Sequence, residues 1–351
     1  MGAAAFVMAE FMGIAYLEVA KFALIPAVLY FGALFMAVHF EARRVGMVGL
    51  PKSELPSLRE TLKNHGHLFT PLVVIVGVLI AGFSAPFAAL CGIFSVLPTI
   101  MLRKSSRQHL NPQNMLEALV DGAKNAVGVA LACGCAGIVI GVIALSGLGI
   151  EFTSIVLDIS QNSLVLALFL TMIAGIILGM GMPTTPAYIM QVALLVPAVV
   201  KLGVTVEAAH MFVFYFAILS AITPPVALAV YAANGISGAG LWESGVAAVK
   251  LGLTGYIIPF MFVFGPSLLL IGAWQTIALT TVSAIGGVVL LAAGLHGYLI
   301  AHAPMWQRVL MVASAICLIK PGFYTDGAGI ALALIVIVAQ TIERKRALTN
   351  A

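Results

Sequence analysis

The 351-residue sequence is 62% hydrophobic and only 9% charged, with a formal charge of +4 and a mean hydropathy of +1.13. A soluble domain carries roughly 25% charged residues to keep its surface wet, so this composition excludes a water-facing globule and puts most of the surface in lipid. Hydrocarbon forces backbone groups to pair within the protein, leaving helices or a closed barrel; the apolar runs are continuous rather than alternating, so the chain reads as an all-α polytopic membrane protein.

Gly2 to Met12 is too short to cross alone and holds Glu10. Leu17 to Phe40 is long enough for one crossing, at roughly 20 residues per hydrocarbon thickness. In the polar loop from Glu41 to His67, Ser57 and Glu60 form an S-x-x-E capping box, so a short surface helix is expected just after Pro56. Leu68 to Leu102 is apolar and broken around Ser84 to Pro86; basic loops on both sides require an even number of crossings, and two fit. Asn111-Pro112 caps a helix with Met115, Leu116, Leu119, Val120 and Ala123 on one face and Glu117, Asp121 and Lys124 on the other. That pattern suits a helix lying at the interface, or one packed on the protein itself, rather than a span. Ala126 to Ser146 spans, with Gly128, Gly134, Gly137 and Gly141 offering close helix contacts. Leu164 to Val200 and His210 to Ala233 are apolar but interrupted. Val246 to Ile271, Thr276 to Tyr298, Met305 to Ile319 and Gly327 to Gln340 follow, the last two short for a crossing.

The basic residues gather in three places: Arg43, Arg44, Lys52, Arg59 and Lys63; Arg103, Lys104 and Arg107; and Arg344, Lys345 and Arg346. These are membrane-flanking charges rather than a nucleic-acid patch, and the positive-inside rule puts all three clusters, and with them the C-terminus, in the cytoplasm. Cys133-Gly134-Cys135 has no His or carboxylate at ligand spacing, so packing by small residues is its expected role rather than metal or redox chemistry. The chain opens on an Ala-rich stretch without a basic n-region, so no cleavable signal is expected.

Ile25-Pro26-Ala27-Val28-Leu29-Tyr30-Phe31-Gly32 is echoed by Ile258-Pro259-Phe260-Met261-Phe262-Val263-Phe264-Gly265, with Ile, Pro, Phe and Gly in the same order and spacing. Repeated halves are how many secondary transporters are built. If the echo marks such halves, the first is incomplete, because the second is preceded by Gly/Pro/Thr breaks and the first begins almost at Met1.

Those breaks carry the chemistry. Proline inside a membrane segment removes a donor and frees carbonyls one turn upstream, and such groups survive at membrane depth only when buried in protein or lining a cavity. In Gly179-Met180-Gly181-Met182-Pro183-Thr184-Thr185-Pro186 the prolines are expected to stop the helix on both sides of two threonines, whose hydroxyls suit a hard cation such as Na⁺. Thr223-Pro224-Pro225-Val226 repeats the design, and Asn234-Gly235 is expected to end the next short helix. A proline kink with threonines bonded back to their own helix is the alternative for either break alone; two such breaks in neighbouring segments favour an ion and substrate site.

G-M-G-M-P-T-T-P-A-Y-I (Gly179 to Ile189), H-M-F-V-F-Y-F-A-I-L-S-A-I-T-P-P-V-A-L-A (His210 to Ala229) and M-G-A-A-A-F-V-M-A-E-F (Met1 to Phe11) resemble the large membrane subunit of tripartite ATP-independent periplasmic (TRAP) transporters. The likeness is greatest to the fused permeases that partner TAXI-type binding proteins. The resemblance implies an inverted-repeat, elevator-type carrier in the bacterial inner membrane, with a re-entrant hairpin and broken helices. It further implies Na⁺ as coupling ion with no other cofactor, a periplasmic solute-binding protein as partner, and a small organic acid, a carboxylate, as cargo. The hairpin tip corresponds to Pro183–Pro186 and the broken-helix loop to Thr223–Val226. Carried-over cation ligands are carbonyls and hydroxyls around Gly181, Thr184, Thr185, Thr223 and Val226, and Pro183, Pro186, Pro224, Pro225 and Asn234 are counted with them as ion- and substrate-binding residues. The organisation this implies is a first-repeat remnant over 1–40, loops, paired scaffold helices and an interfacial helix over 41–124, a second repeat over 125–272, and extra helices over 273–351. Family members normally carry a full first repeat, and fused ones the small-subunit helices before it. The sequence therefore implies a missing N-terminal half or small membrane subunit, and a chain inactive alone.

Two other classes compete with a carrier. An intramembrane enzyme needs a nucleophile or metal set at depth, but His39, His210, His296 and His302 are scattered near segment ends and neither H-E-x-x-H nor G-x-S-x-G occurs. Glu10 is the one acid well inside an apolar stretch, a functional candidate or an end-of-helix carboxylate near water. An ion channel also uses broken helices, but filters are built by symmetric repetition of one loop, which is not seen.

Overall fold

A computed structural model describes residues 2–51, 54–101, 111–161, 163–319 and 322–349. Lys52, Arg103, Lys104 and Arg107 of the basic clusters lie outside the described residues, and of Arg344, Lys345 and Arg346 only the backbone is described. The helices are α1 (Ala4–Met12), α2 (Tyr16–Val45), α3 (Leu58–His65), α4 (Thr70–Ile80), α5 (Ala85–Met101), α6 (Pro112–Ser146), α7 (Leu148–Ser160), α8 (Leu164–Gly179), α9 (Thr184–Lys201), α10 (Val206–Leu219), α11 (Leu228–Ser237), α12 (Leu241–Phe264), α13 (Trp274–His296), α14 (Met305–Ile319) and α15 (Phe323–Thr349). Among the described residues seven helical stretches are long and apolar enough to cross a membrane, so the protein is an all-α multi-pass membrane protein.

The chain divides into two compact units, 1–20 with 48–134, and 21–47 with 135–351. In the first, Ser57 Oγ accepts from the Glu60 N–H at the start of α3, and α4 packs on α5. Gly92 allows that approach: a Cβ there would fall 2.5 Å from the Ile75 side chain. Glu10 is exposed in the last turn of α1 and lines an open cleft with Phe83 and Pro86, so it stands at a helix end.

Several boundaries differ from expectation. The surface helix after Pro56 is not separate: α3, a 3-10 turn over Gly66–Phe69 and α4 follow without a gap. The interfacial helix and the span after it are one helix, α6, because the Lys124-Asn125-Ala126 junction holds no breaker. Helix α7 was not anticipated; Gly147, at φ 72°, turns the chain into it. Helix α11 runs through Asn234-Gly235 and ends at Gly238, whose φ of 65° supplies the left-handed cap. The last helix extends well past Gln340, since Glu343 to Leu348 are good helix formers.

One succession occurs twice: a short helix, a left-handed glycine cap (Gly13 or Gly238), and a long helix carrying an internal proline (Pro26 in α2, Pro259 in α12). In the second unit α2, α13, α14 and α15 share a core of Ala37, Phe40, Leu290, Leu291, Met311, Ala315 and Val336. At its edge Glu41 of α2 accepts from Arg44 Nε at 3.0 Å and His296 Nδ1 at 2.9 Å, with Lys250 Nζ of α12 at 3.6 Å.

Candidate ion and solute site

Helix α8 stops because Met180 turns extended (φ −61°, ψ 129°) and Gly181 takes φ +77°, a left-handed conformation that costs an L-residue about 1–2 kcal/mol. Pro183 then caps α9, whose first turn is Thr184-Thr185-Pro186. The expectation that prolines flank the threonines as breakers therefore holds only at Pro183. Pro186 lies inside the first turn, where an N–H has no intrahelical acceptor and its loss costs nothing. The result is a helical hairpin, α8 packed on α9, with its tip at 180–183.

The second break begins with a 3-10 turn, Ser220–Ile222, after α10. Thr223 is extended (φ −93°, ψ 123°), Ala227 is left-handed at φ 35°, and α11 starts at Leu228. Thr223 Oγ1 donates to the Leu219 carbonyl at 2.6 Å and accepts from Tyr256 Oη of α12 at 2.6 Å. The back-bond weighed as an alternative is thus present, and a hydroxyl so engaged keeps one lone pair for any ligand. Tyr231 Oη ties α11 to the loop by donating to the Pro225 carbonyl at 2.9 Å. Gly245 of α12 accommodates Pro224, where a Cβ would come within 2.9 Å of the ring.

The two breaks meet. A Cβ on Gly179 would lie 2.5 Å from Ser220 Oγ, and one on Gly181 3.6 Å from Val226 Cγ1. Gly181, Pro183 and Pro225 are exposed, Thr184, Thr185, Thr223, Pro224, Val226 and Asn234 half-buried, and Pro186 buried. Among the described residues no hydrogen bond reaches the carbonyl oxygens of Gly181 or Val226. Asn234 Nδ2 is buried without an acceptor. No charged residue occurs between Asp158 and Lys201 or between Glu207 and Glu243, so the junction presents neutral dipoles: free carbonyls, hydroxyls, and the open N–H groups of the first turn of α9.

Sequence reading missed several residues around this junction. Gln191 of α9 is fully buried and donates from Nε2 to the Gly175 carbonyl of α8 at 2.8 Å. Tyr188 Oη and His210 Nδ1 share a buried 2.7 Å hydrogen bond joining α9 to α10, which makes His210 a packing residue. Gln191 is the one side-chain amide in the run from Leu164 to Val200, a signal that was there to be read.

Comparisons with curated proteins and with solved structures give no match. The family model described as "Tripartite ATP-independent periplasmic transporter, DctM component" matches residues 1–277, which takes in α1 to α12, both breaks and the start of α13. On that match the chain belongs to the DctM family of TRAP transporters and is a transporter permease subunit.

Proposed function

We propose that this chain is the membrane subunit of a Na⁺-coupled importer of small organic acids, and that the junction of its two breaks binds both the ion and the cargo. The observation that carries the reading is the approach of the two breaks, so close that a Cβ on Gly181 would lie 3.6 Å from Val226 Cγ1, which gathers two sets of irregular backbone into one place. Free carbonyls of Gly181 and Val226, with the hydroxyls of Thr184, Thr185 and Thr223, are the hard neutral oxygens a dehydrated Na⁺ needs. The open N–H groups at the start of α9 form the positive end of a helix dipole, suited to the carboxylate of the cargo. The cargo arrives from a periplasmic binding protein, in the bacterial inner membrane, with the C-terminus on the cytoplasmic side. A small membrane subunit completes the working transporter.

Uptake of a radiolabelled carboxylate into proteoliposomes tests this, with the assembled transporter, its binding protein and an imposed Na⁺ gradient. Thr185→Ala should raise the Na⁺ concentration for half-maximal uptake about tenfold, one charge-assisted contact, at unchanged abundance. Uptake equally fast in K⁺, or unchanged Na⁺ dependence in both Thr185→Ala and Thr223→Ala, overturns the ion assignment. A flux that does not saturate would instead favour a channel.

A further inference from the structure

We propose that Gln191 is a positioning residue: its side-chain amide clasps the two arms of the α8–α9 hairpin and so fixes where the tip, 180–183, stands against Ser220–Val226. The inference rests on the reading of that junction as the ion and cargo site.

The amide bridges the two packed helices of the hairpin. Nε2 donates to the Gly175 carbonyl, one helical turn before the end of α8. The slot that receives it is made by glycines. A Cβ on Gly175 would lie 3.3 Å from Gln191 Oε1, and one on Gly179 3.0 Å from Nε2, so larger residues at either position push the amide away. On the same face Phe216 Cβ lies 3.3 Å from the Gly175 position and Ser220 Oγ 2.5 Å from the Gly179 position. The clasp, the hairpin and the second break therefore meet along one edge of α8, within a turn of the tip.

Stability alone does not account for this residue. Gln191 Oε1 is buried with no donor, and so is Thr171 Oγ1, one turn before Gly175 on α8. An orphaned buried acceptor is costly, and an apolar side chain of the same length would fill the slot without it. What an apolar chain cannot supply is a directional bond to one chosen carbonyl. That bond sets the spacing of the arms, and with it the height of Gly179 to Pro183 beside the second break.

The test uses the full chain in membrane vesicles, with Cys91, Cys133, Cys135 and Cys317 replaced by Ser and a single reporter, Met182→Cys, at the half-exposed tip. The reading is the rate of maleimide labelling in Na⁺ and in K⁺. Gln191→Met keeps the length and loses the bond; it should speed labelling in K⁺ roughly tenfold, the equivalent of one lost hydrogen bond, with melting temperature unchanged. Gln191→Asn keeps the amide but cannot reach, and should act in the same direction, so the readout does not hang on one variant. Thr171→Val, which touches the orphan but not the clasp, should leave the rate alone. Labelling at the parent rate in both Gln191 variants overturns the proposal. If the Gln191 variants label faster but Na⁺ never protects the parent tip, the clasp stands and the ion reading falls.

Discussion

In the bundle of α13, α14 and α15, Gln307 and Gln340 are fully buried and all their side-chain polar groups are engaged. Gln340 Nε2 donates to Gln307 Oε1 at 2.8 Å, Gln307 Nε2 to Glu343 at 3.0 Å, and Gln340 Oε1 accepts from the Ile300 N–H at 2.9 Å. Arg308 donates to the carbonyls of Gly294 and Leu295 at the end of α13, and Ser314 to that of Gly329. In the stretch from α8 to α11, by contrast, Thr171 Oγ1, Gln191 Oε1 and Asn234 Nδ2 are buried with no partner. The bundle satisfies its buried amides through charged and polar neighbours and leaves His296 Nε2 as its one unpartnered buried side-chain atom among the described residues, whereas the sparsely charged stretch leaves three. Reciprocated groups fix a structure in place, while groups left open are available to ligands, which is why the second region is the one proposed above as the ion and cargo site.

Three substitutions would break or sharpen that contrast. The largest effect belongs to Gly179→Val. Its Cβ would overlap Ser220, whose own Cβ lies only 2.8 Å away, so the breaks must separate, and a displacement of that size costs on the order of 100-fold in rate. Uptake by the assembled transporter measures it, and near-normal uptake would show that the contact of the two breaks is incidental. Next is Gln340→Leu, which strands Gln307 Oε1 in the bundle core and the Ile300 and Ala301 N–H groups of the half-buried connection before α14, at about 1–3 kcal/mol for a fully buried orphan. Thermal melting in detergent should fall while uptake per folded molecule holds, and adding Gln307→Leu should recover part of the loss. The smallest is Gly181→Ala. The Cβ finds room at 3.6 Å from Val226, so the cost is the left-handed backbone alone, about 1–2 kcal/mol in melting; a much larger loss would mean that contact, not conformation, dominates at the tip.

Most helices were legible in the sequence because apolar runs and Gly/Pro punctuation act locally. The bounds of α14 were read to the residue, and both breaks were placed from Gly181, Pro183 and Thr223-Pro224-Pro225. What failed were judgements of continuity. Amphipathic and spanning stretches fused in α6 because nothing between them breaks a helix, and Asn234-Gly235 proved too weak a stop when Gly238 offered a better one. The meeting of Gly181 with Val226, the hold of Tyr256 on Thr223 and the Gln191 clasp join positions far apart in the chain. No local pattern encodes such pairings.

Glu41 has a bearing on how the protein is made. Its histidine partner lies 255 residues further on, so at roughly 5–20 residues per second the carboxylate leaves the ribosome some 10 to 50 seconds before His296 exists. Arg44, one turn along the same helix, is synthesised almost at once and can neutralise it during insertion. The Glu41 carboxylate thus has a local cation from the moment it is made, and the late-arriving His296 joins a pair that already exists.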